Sequence, residues 1–264
     1  MNKIRPEDIK EFAKTIKVGL VATVDDSGDP HITILSTLMA KTEDRLMFGE
    51  FITGLSKDYI MKNNKSGFLI MSLEKQFWNG RMNWTDKTTE GEDYIMYNMQ
   101  PKYRYNSYFG IQTVHYLDLV DISEKKALDM LGIITNALKV LFQKGKYKGG
   151  RDVLKPWAYG LMKKIDTLKF ISYIDSEGYP RIIPIIQAQA ASSDVIVIAD
   201  KPYRQELAEI KPKSRVAVFG LNLDMENVLI KGVFSGFEKG LATVEIDRVY
   251  NSMPPKMGYI FPLS

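Results

Sequence analysis

Val24-Asp25-Asp26-Ser27-Gly28-Asp29-Pro30-His31-Ile32 has a second version later in the chain, Ile174-Asp175-Ser176-Glu177-Gly178-Tyr179-Pro180-Arg181-Ile182. The aspartate, the glycine and the proline of the two stretches coincide at one offset. The same offset places Leu46-Met47-Phe48 on Ile196-Val197-Ile198 without a gap. Because solenoid repeats are much shorter than this spacing, the pattern indicates a duplicated domain.

A third pair of stretches extends the duplication. Lys65-Ser66-Gly67-Phe68 matches Lys213-Ser214-Arg215-Val216, two residues out of step with the first two pairs. A chain of 264 residues is long enough for two small domains. We therefore predict a first domain over residues 1–150, which ends in a helix, and a second domain over residues 151–264.

The order of elements is the same in the two predicted domains. Runs rich in β-branched residues at 19–24, 31–40 and 45–50 predict an antiparallel meander, because turn signals separate them. A helix over 53–64 and a strand over 66–73 follow, and the second half repeats the series. The sequence thus predicts a mainly β fold with some helix (α+β), made of two small antiparallel barrels.

One segment of the first half has no evident counterpart. Residues 75–105 are rich in aromatic side chains, and we predict an irregular insertion there. After a strand over 107–120, Ser123 is the expected N-cap of a long helix. The stripe predicted to be buried by that helix consists of Leu128, Leu131, Ile134, Leu138 and Leu141.

Composition excludes several classes of protein. The chain has no cysteine, so disulfides, thiolate metal sites and cysteine nucleophiles are excluded. The net charge of +4 is spread along the sequence, which does not favour a nucleic-acid partner. No apolar run approaches the ~20 residues of a membrane span, and the N-terminus lacks the apolar stretch of a signal peptide. We predict a cytoplasmic protein without a membrane partner.

The stretch from Phe48 to Asp58 offers the clearest local signal for a ligand. It lies where a strand is expected to end and a helix to begin, and it contains two hydroxyl side chains and Lys57. Backbone N–H groups at a helix start favour an anion, and a lysine adds a positive charge. The alternative is an ordinary helix start with a surface lysine.

Several of these stretches together resemble the pyridoxamine 5'-phosphate oxidase-like family of FMN-binding split barrels. The resemblance rests on Gly28-Asp29-Pro30, the strand from His31 to Leu38, Leu46-Met47-Phe48, Ser56-Lys57 and Asn64-Lys65-Ser66. It implies two tandem split β-barrels and FMN as the cofactor. It also implies that Lys57 holds the FMN phosphate and that residues 34–36 border the isoalloxazine ring. The implied cofactor-binding residues are Thr33, Ile34, Leu35, Ser36, Phe51, Thr53, Ser56 and Lys57.

The sequence departs from this family at informative positions. Thr33 stands where pyridoxamine-phosphate oxidases place an arginine, and Leu38 where they place a lysine. These departures argue against pyridoxamine phosphate as the substrate. In the second half, residues 200–205 take the place of the phosphate segment, and Pro202 removes a backbone donor there. We therefore expect the second half to have lost its own flavin site.

The aromatic insertion is the expected place for substrate specificity. Aromatic rings stack on planar molecules and arginines pair with anionic groups. The predicted substrate residues are Trp78, Arg81, Trp84, Arg104, Tyr105 and His115. The alternatives are that the aromatic residues pack the insertion on its own barrel and that His115 is structural. No metal site is predicted, because the two histidines lie far apart and no carboxylate cluster joins them.

These observations together favour an FMN-binding flavoprotein, and specifically an oxidoreductase that acts on a small organic substrate. A nicotinamide or a protein would donate the electrons, and no catalytic side chain is assigned. The expected assembly is a homodimer or an intramolecular pair of barrels. Two alternatives remain open: a deazaflavin-dependent reductase, and a non-catalytic flavin- or haem-binding carrier or sensor.

Overall fold

Two antiparallel sheets dominate the computed structural model, which describes residues 2–51, 54–101, 110–147, 149–251 and 258–262. The strands of the first sheet are β1 Val18–Val24, β2 Pro30–Ile34, β3 Met39–Thr42, β4 Arg45–Glu50, β5 Lys65–Met71, β6 Gln76–Thr88, β7 Thr113–Ile122 and β8 Lys126–Ala127. The strands of the second sheet are β9 Leu168–Ile174, β10 Pro180–Pro184, β11 Gln189–Ser192, β12 Val195–Ala199, β13 Arg215–Leu221, β14 Asn227–Phe234, β15 Leu241–Asn251 and β16 Gly258–Phe261. The order β2-β1-β5-β6-β7-β4-β3 recurs as β10-β9-β13-β14-β15-β12-β11. The prediction of two tandem split barrels in an α+β fold is confirmed.

Helices are few and short. They are α1 Ile9–Ala13, α2 Leu55–Lys62, α3 Glu92–Met99, α4 Met130–Gln143, α5 Pro156–Lys163 and α6 Arg204–Leu207, and a 3₁₀ turn spans Lys144–Lys146. In the described part of the chain, no helix has the length and apolar character that a membrane crossing requires.

The repeated Asp–Gly–Pro stretch forms the same turn in both sheets. The carboxylate of Asp25 accepts hydrogen bonds from the N–H groups of Ser27 and Asp29. In the turn between β9 and β10, the carboxylate of Asp175 accepts from the N–H groups of Glu177 and Tyr179. The glycines of the two turns have φ values of 80° and 84°, a conformation that favours glycine because it has no Cβ. The sequence motif therefore encodes a fixed hairpin geometry.

The two sheets correspond at a constant offset from the first strand to the fifth. Ala22 of β1 pairs with Gly67 of β5, and Ser172 of β9 pairs with Ala217 of β13, so the offset of 150 also holds at the fifth strand. The expected shift of two residues at Lys65 is therefore wrong. Side-chain identity misplaced Lys65 on Lys213, whereas the strand register places it on Arg215.

The extra residues of the first half lie later than expected. Residues 76–88 form β6, the counterpart of β14, and are not part of an irregular insertion. The strand was missed because both of its faces are buried near its start, which removes the alternation of polar and apolar residues. Beyond β6 the offset falls from 150 to 127, so 23 additional residues, including α3, separate it from β7.

The two sheets pack directly against each other. At one end of each sheet, β2 or β10 is an edge strand that has only one neighbour within the sheet. Each of these two strands lies against the opposite sheet. One continuous apolar cluster joins Leu20, Ile32 and Leu69 of the first sheet to Phe170 and Ile182 of the second. Covering edge strands in this way protects their unpaired backbone groups from other chains.

Charged pairs cross the interface at equivalent positions. Lys231 Nζ lies 2.5 Å from the carboxylate of Asp25, and Arg81 Nη1 lies 3.5 Å from the carboxylate of Asp175. The offset of 150 makes Arg81 the counterpart of Lys231. Burial opposes ionisation of Asp25, but the hydrogen bond and charge of Lys231 hold the pKa of that carboxyl below its usual value. Each repeated turn is thus anchored by a cation of the other barrel.

The long helix α4 differs from its prediction in start and in contacts. Its N-cap is Asp129, whose side chain accepts from the N–H of Gly132, and Ser123 instead accepts from the N–H of Asn79. The helix was predicted as the end of the first domain, yet it packs on β11 and β12 of the second sheet. The domain limits at residues 150 and 151 stay a prediction.

The close approach of the two barrels gives a test of the packing. A Cβ on Gly67 would lie 2.0 Å from the carbonyl oxygen of Pro180, across the interface. Gly67→Ala should therefore lower the free energy of unfolding by about 1–3 kcal/mol, measured by chemical denaturation. Gly160→Ala is the matched control: no atom lies within 4 Å of its added Cβ, and alanine favours the helix, so stability should hold or rise. Equal effects of the two substitutions would contradict this packing.

Candidate functional site

The start of α2 combines a bare helix end with a lysine. Gly54 caps the helix in an extended conformation and has no side chain to accept from the first amides. The ammonium of Lys57 folds back to this end, since a Cβ on Gly54 would lie 3.9 Å from its Nζ. The positive end of the helix dipole and a positive side chain therefore point to one place, an arrangement that attracts an anion.

The surroundings of Lys57 disfavour its charged form. Burial lowers the pKa of Lys57, and the charges of Glu50 and Asp58 only partly oppose that effect. Ser56, the preceding residue, is buried and belongs to the same first turn. A bound anion would stabilise the ammonium and occupy the helix start at once.

The predicted ring-binding residues lie at the end of β2 and on the turn after it. β2 ends at Ile34, so Leu35 and Ser36 belong to a turn and not to the strand predicted through Leu38. The turn is held on the barrel because the Leu35 N–H donates to the Gly19 carbonyl over 2.8 Å. A Cβ on Gly19 would lie 2.6 Å from the Leu35 carbonyl oxygen. The absence of a side chain at Gly19 therefore allows the turn to lie this close to β1.

Three aromatic rings form a cluster beside these residues. His31 is 2% exposed and lies between Tyr59 of α2 and Tyr250 of β15, with ring centroids 5.3 and 5.1 Å away. A histidine at the start of a strand after a turn would be expected to be exposed, but the second barrel covers this one. His31 Nδ1 has no hydrogen-bond partner in the described part of the chain. Burial, together with the charge of Lys231, lowers the pKa of His31 to about 3.

The equivalent place in the second half is a cavity of about 280 Å³ between the two barrels. Arg181, Ile183, Glu206 and Glu209 line it. At the offset of 150, these residues are the counterparts of His31, Thr33, Ser56 and Tyr59. Thr33 and Ser56 are predicted cofactor residues. They and the rings of His31 and Tyr59 thus occupy the positions whose counterparts line a cavity in the second half.

The second cleft does not fit a phosphate. Leu207, fully buried in the core, occupies the position of Lys57, and Glu206 occupies that of Ser56. Glu206 pairs with Lys126 at 2.9 Å, and Arg204, the nearest arginine in sequence, pairs with Asp200. The expected loss of the second site agrees with these substitutions, which exchange a cation for an apolar side chain and add a carboxylate.

Two of the predicted substrate residues have structural partners. Trp78 is 1% exposed, and its indole N–H donates to Asp8 under α1, so no surface is left for a substrate. The guanidinium of Arg81 binds Asp121 of its own sheet at 2.6 Å, and Glu177 of the second barrel at 2.8 Å. It joins the barrels together.

Trp84 and His115 belong to a buried network. The Trp84 indole N–H donates to His115 Nδ1 over 3.2 Å, and an indole can only donate. His115 Nε2 therefore carries the hydrogen and donates to Glu50 over 2.9 Å. His115 also stacks on Phe48 at 4.7 Å, which supports the structural alternative for this residue. Glu50, at one end of this network, lies close enough to Lys57 for its charge to raise the pKa of that lysine.

The helix α3 covers one face of the first sheet. Tyr97 is fully buried against Met47 and Val114, and its hydroxyl donates to the Thr37 carbonyl over 2.8 Å. Phe51, a predicted cofactor residue, is partly buried against the same cluster. Thr53, Arg104 and Tyr105 lie outside the described residues, so their predicted roles stay predictions.

No protein-family model and no curated protein sequence matches the chain. An FMN-binding protein from Syntrophomonas wolfei is 14% identical with a TM-score of 0.39, over 46% of this chain and 86% of that one. An F420 reductase is 15% identical with a TM-score of 0.35, over 45% and 98%. General stress protein 26 from Bacillus anthracis is 14% identical with a TM-score of 0.35, over 46% and 97%.

The burial of His31 gives a testable pH dependence. The unfolded chain takes up a proton at His31 below its ordinary pKa of 6.5, but the folded chain does so only near pH 3. Between these values, stability falls as the pH is lowered, by up to about 1.4 kcal/mol per pH unit. We expect His31→Gln to remove this contribution when the free energies of unfolding at pH 7 and pH 5 are compared. If wild type and variant lose equal stability over that interval, His31 is not buried in its neutral form.

Proposed function

We propose that the first half binds one molecule of FMN and that the protein is an FMN-dependent oxidoreductase. The observation that carries the proposal is the position of Lys57, whose partly desolvated ammonium lies at the uncapped start of α2. A phosphate monoester is the group that this end would hold, through the ammonium and the first amides of the helix. Ser56 would add a hydroxyl donor.

The residues beside the helix start suit the rest of a flavin. Thr33, Ile34 and Ser36 are half-buried and lie on an edge that the barrel fixes in place. Backbone groups of such a turn bind the polar edge of a flat ring without adding charge. His31 is neutral at neutral pH, so its free Nδ1 is able to accept a hydrogen bond from a ligand.

The second half supports a count of one cofactor for each chain. Its cleft has Leu207 at the position of the phosphate-binding lysine, and three carboxylates, those of Asp121, Glu206 and Glu209, line the cavity. Like charge repels a phosphate, and the nearby cations are already paired: Lys126 with Glu206, Arg181 with Asp121 and Arg204, at the helix start, with Asp200. The second barrel then serves as a wall of the first site, through Tyr250.

Bound flavin would supply the hydride or electron transfer. The chain's own part is to hold the phosphate at Lys57, to exclude water with the buried rings, and to place a neutral imidazole at the site. The proposed substrate is a small organic molecule, and the proposed electron donor is a nicotinamide or a protein. The described residues include no acid–base constellation at this site apart from His31 and Tyr59.

The absorption spectrum of the purified protein tests the proposal. We expect the spectrum of FMN, with one flavin for each chain after reconstitution. A protein that ignores FMN and takes up a deazaflavin supports the deazaflavin-dependent alternative instead. A protein that binds FMN but is reduced by no nicotinamide or reduced carrier protein would be a carrier or sensor, and the oxidoreductase part of the proposal would be wrong.

The role of Lys57 is tested by its removal. Lys57→Ala should weaken FMN binding by about 1–3 kcal/mol, as expected for one charge-assisted contact, measured by fluorescence titration of FMN. Lys62→Ala is the matched control on the same helix, because that exposed lysine pairs with Asp26. Arg204→Ala is the control in the second half, where the arginine pairs with Asp200. Equal losses in Lys57→Ala and Arg204→Ala would contradict a phosphate site confined to the first half.

A further inference from the structure

The outer face of α4 is apolar and exposed. The helix packs on the second sheet through Ile133, Ala137 and Val140, which are buried. The opposite face shows five large apolar side chains to solvent, and Leu131 and Phe142 are about four-fifths exposed. The exposed set is Leu131, Ile134, Leu138, Leu141 and Phe142. The stripe predicted to be buried is therefore mostly the exposed one, and only Leu128 of that set is buried.

The spacing of the exposed residues is that of a helix–helix seam. Leu131, Ile134, Leu138 and Leu141 follow one another at intervals of three, four and three residues. Apolar residues at these intervals form the a and d positions of paired helices. The face is also uncharged: the one charged residue within the helix, Lys139, turns its ammonium to the carbonyl groups of Lys239 and Gly240.

The charges at the two ends of the helix are opposite. Asp129, exposed, caps the N-terminal end, and Lys146, also exposed, follows the C-terminal end. If two such helices are antiparallel, each acidic end meets a basic end. If they are parallel, like charges meet. The distribution therefore favours an antiparallel pair of identical helices, which a two-fold axis produces.

We propose that the outer face of α4 is the interface with a second copy of this chain, which lies on it antiparallel about a two-fold axis. A membrane is the less favoured occupant because Lys144 and Arg151, two basic residues that follow the helix, are engaged with the protein. Lys144 donates to Gln189 over 2.8 Å, and Arg151 donates to the Ile246 carbonyl over 2.7 Å. Anionic lipid requires such side chains to be free.

Sedimentation velocity over a range of protein concentrations tests this interface. We expect the wild-type chain to dimerise, and Leu138→Glu to raise the dimer dissociation constant at least tenfold, because the two-fold axis brings two buried carboxylates together. Leu131→Glu, at a more exposed position of the same stripe, should act in the same direction. The matched control is Leu223→Glu, since Leu223 is 94% exposed and lies outside α4. Circular dichroism verifies that each variant is folded.

The charged ends give a second, milder variant. Lys146→Glu should raise the dissociation constant by up to about fivefold, as expected for a surface ion pair, and this loss should shrink in high salt. A wild-type chain that stays monomeric at every concentration would overturn the proposal, and so would a dimer that Leu138→Glu leaves intact. Flotation of a monomeric wild-type chain with phosphatidylserine vesicles, abolished by Leu138→Glu, would assign the face to a membrane instead.

Discussion

Burial of the two edge strands, β2 and β10, against the opposite sheets is the constraint on which the rest of the molecule depends. Neither sheet closes on itself, so each strand needs a neighbouring surface to cover its outer side. The repeated turn that precedes β2 and β10 supplies a carboxylate, and the other barrel supplies the cation, Lys231 or Arg81. One apolar cluster then runs through both sheets, and the two barrels form a single packed body.

Pairing of two homologous barrels in one chain allows equivalent positions to diverge. A dimer of identical subunits would carry lysine at both helix starts or at neither. Here Lys57 and Leu207 occupy equivalent positions, and so do His31 and Arg181. The first position of each pair belongs to the proposed flavin site, while in the second half Leu207 is buried in the core and Arg181 lines a cavity and pairs with Asp121. The asymmetry concentrates the proposed chemistry in one half and leaves the other as scaffold.

Local sequence predicted what local physics determines. The Asp–Gly–Pro turns and the start of α2 beside Lys57 follow from hydrogen bonds within a few residues, the repeated order of elements follows from the repeated sequence, and all three are present in the structure. The burial of His31 was not predictable, because Tyr250, which covers one side of its ring, lies more than 200 positions away. The face of α4 was ambiguous, since apolar residues occupy both of its sides and periodicity does not tell which one meets the sheet.

The path of α4 makes the chain's two barrels depend on each other's folding. The helix follows the last strand of the first sheet, but it covers Val195, Val197 and Leu241 of the second. Unfolding of the first barrel would displace α4 and expose these side chains of the second barrel to water. The two barrels should then unfold together in one cooperative transition. The repeated sequence would then specify two copies of a fold that are stable only together.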